Sequence, residues 1–187
     1  MQKLFIPILL GTSRQGRFSE KVANLIFQQL KQRKNIETVL VDPRNLNLPE
    51  NDDGRNLARL NPEYMDMVKR MDGMLIVSPE YNHSFPGTLK RVLDMADPEY
   101  KKKAVLIAGV SNGEIGGARM IEALNTVVKA LGLTPTQYDL KFFKVNLLFD
   151  ESEALLDQAY IPKIERGIDD LVWMAQAFKD AREKTGL

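Results

Sequence analysis

Short apolar, β-rich segments alternate with amphipathic helical segments along the chain, and this alternation limits the possible fold more than any other feature. Strand-like segments lie at residues 4–10, 38–41, 73–77, 103–110 and 135–142. Apolar residues repeat with helical spacing at residues 19–32, 62–71, 87–95, 118–131 and 161–184. This order is typical of a parallel sheet covered by helices on both faces. The sequence therefore predicts an α/β protein built as a three-layer α/β/α sandwich.

The length and the charge of the chain narrow its organisation and its partners. Its 187 residues fit one domain, and no repeat, low-complexity tract or interdomain linker divides them, so we expect a single domain over residues 1–187. One long segment, residues 42–61, carries turn residues and is predicted to be irregular. The net charge of +1 and the hydrophobic content of 44% give no reason to expect a nucleic-acid partner.

The residue inventory excludes several kinds of chemistry. The chain has no cysteine, which excludes disulfides, thiolate nucleophiles, iron–sulfur clusters and cysteine-ligated zinc. His83 is the only histidine. We therefore expect no metal site built from protein ligands.

The apolar segment at residues 4–10 follows Lys3 and superficially resembles the start of a secretory signal. It is short, it contains Pro7, and it leads directly into a charged glycine-rich turn without a cleavage site of small residues. No apolar run elsewhere approaches the roughly 18 residues that a membrane-spanning helix requires. We predict a cytoplasmic protein that makes no membrane contact.

The polar segment at residues 11–19 has the pattern of a phosphate cradle. Gly-Thr-Ser-Arg-Gln-Gly-Arg-Phe-Ser puts a glycine-rich turn directly before a helix, where free N–H groups and the helix dipole favour an anion. Gly11 and Gly16 have Walker A spacing, but Arg17 and Phe18 stand where that motif needs Lys and Ser or Thr. The dinucleotide fingerprint Gly-x-Gly-x-x-Gly does not fit the segment either. A single phosphate monoester fits better, while a glycine-rich turn with solvent-facing arginines remains an alternative for this segment alone.

Two further segments share the polar, glycine-rich composition of the first. Residues 78–87 follow the third predicted strand, and residues 111–117 follow the fourth. In an open doubly wound sheet, ligands bind beyond the carboxyl ends of the strands, where the strand order reverses. We therefore expect these two loops and the first loop to converge on one binding site.

Three motifs in these loops together resemble the NADPH-dependent FMN reductase family of flavodoxin-like proteins, which includes quinone, azo-dye and chromate reductases. The motifs are Gly-Thr-Ser-Arg-x-x-Arg-x-Ser after the first strand, Pro-Glu-Tyr-Asn-x-Ser-x-Pro-Gly-x-Leu-Lys after the third, and Ser-x-Gly-x-x-Gly-Gly after the fourth. The resemblance covers roughly residues 4–131. The middle motif is the most specific of the three.

The resemblance implies a flavodoxin-like fold whose five-stranded parallel sheet has the order 2-1-3-4-5. It also implies an NAD(P)H oxidoreductase with bound FMN and with NADPH or NADH as co-substrate. A hydride would pass from nicotinamide to FMN, and a quinone or a similar small-molecule acceptor would then take two electrons in a ping-pong cycle. By the same resemblance we expect a homodimer or a homotetramer.

Cofactor-binding residues follow from the resemblance, which assigns no catalytic side chain because the redox chemistry belongs to FMN. The phosphate is assigned to the first loop, at Gly11, Ser13, Arg14, Arg17 and Ser19. The isoalloxazine ring is assigned to the other two loops, at Pro79, Glu80, Tyr81, Asn82, Ser84, Ser111 and Gly113. A phosphate monoester carries about two negative charges, which arginines and N–H donors favour.

Two positions depart from the family pattern. Pro7 removes a backbone donor from the first strand, which implies a bulge or a late start to regular pairing, and Met95 stands where many relatives have an aromatic residue. We expect Glu80 to act mainly through its backbone, and we interpret His83 as an incidental loop residue rather than a proton donor. An alternative function is a flavin-binding electron carrier or a redox-sensing interaction protein without turnover of its own.

Overall fold

A computed structural model describes residues 3–51 and 56–186 of the chain, so the predicted irregular segment 42–61 lies partly outside the described residues. Within these ranges the strands are Leu4–Phe5 (β1), Ile8–Leu10 (β2), Ile36–Glu37 (β3), Leu40–Val41 (β4), Gly73–Pro79 (β5), Lys103–Val110 (β6), Leu133–Pro135 (β7) and Leu140–Phe142 (β8). The helices are Phe18–Lys31 (α1), Leu57–Leu60 (α2), Pro62–Arg70 (α3), Gly87–Asp94 (α4), Ala118–Ala130 (α5) and Tyr160–Thr185 (α6).

The strands pair in parallel, but their number and order differ from the prediction. The main sheet has six strands in the order β4-β2-β5-β6-β7, with β8 also paired to β6, and β1 and β3 form a separate two-stranded sheet. The predicted sheet of five strands in the order 2-1-3-4-5 is therefore corrected to eight short strands in two sheets. The first predicted strand is divided into β1 and β2, the second contains β4 and is preceded by the additional strand β3, and the last is replaced by β7 and β8.

Pro7 divides the first predicted strand, as its missing N–H requires. Regular pairing stops after Phe5 and resumes at Ile8. The backbone path nevertheless continues, because the Pro7 carbonyl accepts a 3.0 Å hydrogen bond from the Leu75 N–H, and the Ile6 N–H donates to the Glu37 carbonyl at 2.9 Å. The interruption therefore affects the hydrogen-bond ladder and leaves the strand in place between its neighbours.

Side chains of the long strands alternate between two hydrophobic cores, one on each face of the main sheet. Leu75 and Val77 of β5 pack in the core that contains α1 and α6, whereas Met74 and Ile76 pack in the core that contains α3, α4 and α5. This alternation follows from the two-residue period of a strand. The three-layer α/β/α arrangement predicted from the sequence is confirmed.

The longest helix, α6, is fastened at the edge of the sheet where the parallel strands begin. The buried Asp72 carboxylate accepts hydrogen bonds from the Phe5 N–H at 3.0 Å, from Lys179 Nζ at 3.2 Å and from Arg182 Nη2 at 3.1 Å. This edge lies opposite the carboxyl ends of the strands, which leaves those ends to the loops. In the described ranges, no helix combines the length and the apolar character that crossing a bilayer requires.

Candidate functional site

The three loops predicted to converge surround one cavity of about 360 Å³ at the carboxyl ends of β2, β5 and β6. Eight of the predicted site residues line it: Arg14, Arg17, Ser19, Pro79, Glu80, Tyr81, Ser111 and Gly113. Four do not line it: Gly11, Ser13, Asn82 and Ser84. The structure thus brings most of the predicted positions together and gives the other four places in the surrounding loops.

Gly11 shapes the start of the first loop. Its N–H donates to the Val77 carbonyl at 2.8 Å, which holds the end of β2 against the end of β5. A Cβ atom at Gly11 would lie 2.5 Å from the Ser78 Cβ and 2.9 Å from the Ser78 Cα. Only glycine permits this approach, so its role is to let two loops meet rather than to contact a ligand through a side chain.

Helix α1 begins at the cavity with its first backbone donors uncapped by a side chain. Arg17 is the N-cap residue and makes no side-chain cap hydrogen bond, and Gly16 before it has φ of +67°. Ser19, in the first turn, lines the cavity and is only 1% exposed. Among the described residues its buried Oγ has no hydrogen-bond partner. An unpartnered hydroxyl beside a helix N-terminus fits an anion that supplies the missing acceptor.

The exposed Arg14 guanidinium also borders this cavity. Thr12 Oγ1 accepts from the Arg14 N–H at 3.2 Å and lies 3.1 Å from the Tyr81 hydroxyl, which links the first loop to the second. The Ser13 hydroxyl lies 3.5 Å from Thr88 Oγ1 at the start of α4. These contacts tie the first loop to the second loop and to the start of α4.

Arg17 lines the same cavity, but protein groups take up most of its donors. Its Nη atoms donate to both carboxylate oxygens of Asp42 and to the Thr12 carbonyl, and its Nε donates to Glu20 at 3.2 Å. Burial alone would raise the pKa of the Asp42 carboxyl, but the Arg17 hydrogen bonds and charge, with the Arg44 N–H, hold it below its usual value. The Arg17 side chain is 2% exposed. Arg17 is thus a paired, buried cation beneath the loop.

The second loop closes in a tight two-residue turn. The Tyr81 N–H donates to the Ser84 carbonyl at 2.8 Å, and the Ser84 N–H donates to the Tyr81 carbonyl at 3.0 Å. The two central residues, Asn82 and His83, have φ of +49° and +66°. Two successive positive φ angles define a type I′ turn, which Asn tolerates better than His. The predicted residues Asn82 and Ser84 therefore form the turn that positions Tyr81.

Glu80 and His83 both contact the start of α5. Glu80 Oε2 accepts a hydrogen bond from the Met120 N–H at 3.4 Å, so its carboxylate caps this helix, while its own N–H donates to the Val110 carbonyl at 3.2 Å. The His83 Nε2 atom lies 3.0 Å from Arg119 Nη1. A guanidinium only donates, so Nε2 acts as the acceptor. Both side chains thus tie the second loop to the first turn of α5, directly after the third loop.

One wall of the cavity comes from a segment that the sequence did not indicate. Val145, beyond β8, lines the cavity, and its N–H donates to the Ser111 carbonyl at 3.1 Å. The Lys144 N–H donates to the Gly113 carbonyl at 3.1 Å, and the Ser111 hydroxyl accepts from the Gly113 N–H at 2.9 Å. The apolar sequence around Val145 contains no recognisable motif. Only its position, after a strand that pairs with β6, could have indicated that it lies at the cavity.

Comparison with known proteins identifies the relatives of this chain. The family described as NADPH-dependent FMN reductase matches residues 6–139. A quinone reductase from Escherichia coli (strain K12) is 32% identical over 126 residues, which span 63% of this chain and 65% of that relative, less than two thirds of its length.

Solved structures agree with this match at the level of the fold. FerB from Paracoccus denitrificans, a flavoenzyme NAD(P)H:(acceptor) oxidoreductase, has a TM-score of 0.78 at 20% identity and covers 94% of this chain and 98% of its own. A flavodoxin from the domain Archaea has a TM-score of 0.60 at 12% identity, with 91% and 99% covered. These likenesses show the flavodoxin-like fold.

Proposed function

The chain belongs to the NADPH-dependent FMN reductase family, and from this membership we propose that it is an FMN-dependent NAD(P)H oxidoreductase that reduces a quinone or a similar small acceptor. One observation carries the proposal: the buried Ser19 hydroxyl, which has no hydrogen-bond partner in the part of the chain that the structure describes, lies at the N-terminus of α1, on a cavity that all three motif loops line. This arrangement offers donors for one phosphate at one end and a polar, open cleft for a flat ring at the other.

The first loop would hold the FMN phosphate. Ser19 Oγ, the first N–H groups of α1 and the exposed Arg14 guanidinium supply neutral and charge-assisted donors. The family resemblance also assigns Ser13 to the phosphate, and its hydroxyl lies 3.5 Å from Thr88 Oγ1. Arg17 would contribute its positive charge from beneath the loop while its donors remain with Asp42.

The second and third loops would enclose the isoalloxazine ring. Pro79, Tyr81, Ser111 and Gly113 line the cavity there. Asn82 and Ser84 would set the turn that carries Tyr81, and Glu80 would act by holding the start of α5. When bound, FMN supplies the redox chemistry, accepting a hydride from reduced nicotinamide and returning two electrons to the acceptor. The protein side chains position the ring and are assigned no acid–base step.

The cavity is open on one side, which would let nicotinamide and acceptor approach the ring in turn, as a ping-pong cycle requires. Homodimer or homotetramer assembly stays a prediction from the family resemblance, and a cytoplasmic location stays a prediction from the sequence. The relative with the quinone reductase name supports a quinone as the first acceptor to test.

The proposal is tested by loading the purified protein with FMN and following its visible absorption under anaerobic conditions. NADPH should bleach the flavin bands, and an added quinone should restore them. Rapid reduction without reoxidation by any quinone would favour an electron carrier or a sensor, and absence of FMN binding would refute the proposal.

Alanine substitutions at two arginines, one at the cavity and one far from it, provide matched variants. Arg14→Ala should weaken FMN binding more than it changes the rate of reduction of fully loaded protein. Arg33→Ala serves as control, because Arg33 lies beyond the far end of α1, where it pairs with Asp169. Unchanged FMN affinity in Arg14→Ala would refute the assignment of Arg14 to the phosphate.

A further inference from the structure

Four charged side chains form a network next to the first loop: Arg17, Glu20, Asp42 and Arg44. Arg17 bonds Asp42 and Glu20, and Arg44 Nη1 lies 3.9 Å from the same Glu20 carboxylate. Asp42 also accepts a 2.9 Å hydrogen bond from the Arg44 N–H at the start of the 3-10 turn that follows β4. Arg17 belongs to the first loop, whereas Asp42 and Arg44 come from a different part of the chain. We call Arg17 and Arg44 the arginine clamp.

The arginine clamp donates hydrogen bonds to three successive backbone carbonyls of the first loop. Arg17 Nη1 donates to the Thr12 carbonyl. Arg44 Nε donates to the Ser13 carbonyl at 3.0 Å, and Arg44 Nη2 donates to the Arg14 carbonyl at 2.6 Å. One guanidinium fork thus spans two adjacent peptide groups, a geometry that suits arginine because its donors are fixed in one plane.

Holding these carbonyls also fixes the amides of the loop. A peptide group is planar and trans, so the N–H of each following residue points opposite to the carbonyl. With three carbonyls turned to the arginine clamp, the N–H groups of residues 13, 14 and 15 turn away from it. The Arg14 N–H already donates to Thr12 Oγ1 at 3.2 Å, and among the described residues the Ser13 and Gln15 N–H groups have no backbone partner. The cavity borders the loop at Arg14 and Gly16, and N–H groups on one side of a turn form an anion-binding concavity.

The charges of this network compensate one another without a bound ligand. The Arg17 side chain is 2% exposed and that of Asp42 is 19% exposed, so each charge is compensated by the other rather than by water. Burial opposes the charged form of Arg17, yet the hydrogen bonds and charges of Asp42 and Glu20 raise its pKa above the ordinary value. The pairing with Asp42 and Glu20 therefore stabilises the charged form of Arg17.

We propose that Asp42 and Arg44 are positioning residues for the cofactor phosphate: they hold the first loop with the Ser13 and Gln15 amides presented to a phosphate monoester before that group binds. This rests on the proposed function, since it assigns the phosphate of FMN to the first loop. A preformed site saves the ordering cost that a loose loop pays on binding. Both residues lie outside the three motifs that indicated the site.

The test compares FMN with riboflavin, which has the same ring and no phosphate. Dissociation constants for both flavins are measured by flavin fluorescence on flavin-free protein, for the native chain and for Arg44→Gln and Arg44→Lys. Both variants should bind FMN about tenfold more weakly, as the loss of about one ordering interaction predicts, and should bind riboflavin as the native chain does. Lysine should not rescue, because a single ammonium on a flexible stem does not span two carbonyls.

Two controls separate positioning from general damage. Arg33→Gln removes the same charge at the far end of α1 and should leave both affinities native. Asp42→Asn, which removes the partner of Arg17, should show the same selective loss of FMN affinity. Arg44→Gln and Arg44→Lys decide the question if Asp42→Asn does not fold, because the Arg44 side chain is 37% exposed and its removal leaves no buried charge.

The outcomes distinguish this inference from the function on which it rests. Native FMN affinity in Arg44→Lys would mean that Arg44 supplies only charge, and equal losses for the two flavins would mean that it supplies only stability. Either result overturns the positioning role and leaves the FMN site intact. A native chain that binds FMN no better than riboflavin would overturn the phosphate site itself.

Discussion

Replacing Ser19 by alanine should stabilise the flavin-free protein and weaken its binding of FMN. Among the described residues the Ser19 hydroxyl is buried without a hydrogen-bond partner. A buried unsatisfied polar group costs about 1–3 kcal/mol, and its removal returns part of that cost. We expect a gain of about 1 kcal/mol, which for a chain of this size raises the melting temperature by about 2–4 °C.

The same substitution removes a donor to the proposed phosphate. A hydrogen bond to a charged group contributes about 1.5–3 kcal/mol, so the FMN dissociation constant should rise roughly ten- to hundredfold. Riboflavin has no phosphate, and its dissociation constant should stay at the native value. Two measurements therefore move in opposite directions because one hydroxyl is unpaired in the free protein and paired in the complex.

Calorimetry of flavin-free protein and fluorescence titration with each flavin measure the two effects. Thr126→Ala, at an exposed position of α5, is the control for the higher helix propensity of alanine, because it removes a hydroxyl that water already solvates. The reasoning is refuted if Ser19→Ala lowers the melting temperature of the flavin-free protein while FMN affinity stays native, since the hydroxyl would then have a structural partner.

Three further substitutions test other parts of the structure. Gly11→Ala should lower stability by about 1–3 kcal/mol in thermal unfolding, since its Cβ would lie 2.5 Å from the Ser78 Cβ, and a native melting temperature would contradict that approach. His83→Gly should be about 1 kcal/mol more stable than His83→Ala by urea unfolding, because both lose the imidazole but only glycine relieves φ of +66°; equal stabilities would show that the turn is not strained. Burial, with the charge of Arg182, lowers the pKa of Lys103 to about 8 from 10.5, so the unfolded chain binds the extra proton between these values and stability should rise with pH there. Urea unfolding from neutral pH to about pH 10 should show this rise in the native chain and lose it in Lys103→Met, and a parallel rise in both proteins would assign it to another group.

The sequence predicted the helices and the long strands closely. Predicted helices at residues 62–71, 87–95 and 118–131 correspond to Pro62–Arg70, Gly87–Asp94 and Ala118–Ala130. Apolar periodicity and helix-end residues act within a few positions of the chain, so they can be recognised without knowing what packs nearby. The predicted strand 103–110 also matches β6, because a continuous apolar run buried on both faces needs no partner-specific signal.

The divisions of the other strands were not predicted in full. Pro7 indicated the first break, since a missing N–H is a local property. The break between β7 and β8 has a different cause. Thr136 donates its N–H to the Val105 carbonyl at 2.9 Å and its hydroxyl to the Tyr138 carbonyl at 3.1 Å, and these bonds fix the segment between the two strands. Which residues of an edge segment pair depends on the neighbouring strand, and that neighbour is distant in sequence.

The candidate site divides in the same way. The convergence of the three loops followed from the rule that ligands bind at the carboxyl ends of parallel strands, together with the glycine-rich composition of those loops. The use of each side chain did not follow from it. The pairing of Arg17 with Asp42, which lies 25 positions away, was not predicted, and Arg44, which holds two carbonyls of the first loop, lies outside every motif.

The sequence by itself therefore determined the layers of the fold, the position of the binding edge and the phosphate-cradle pattern of residues 11–19. These properties depend on local backbone preferences, on apolar periodicity and on motif chemistry, all of which are written in consecutive residues. Only the tertiary structure decided that Arg17 is a buried ion-pair member, that the Ser19 hydroxyl has no hydrogen-bond partner among the described residues and that Val145 lines the cavity. Those properties depend on which distant groups come within hydrogen-bonding distance, and that is fixed only when the separate segments pack together.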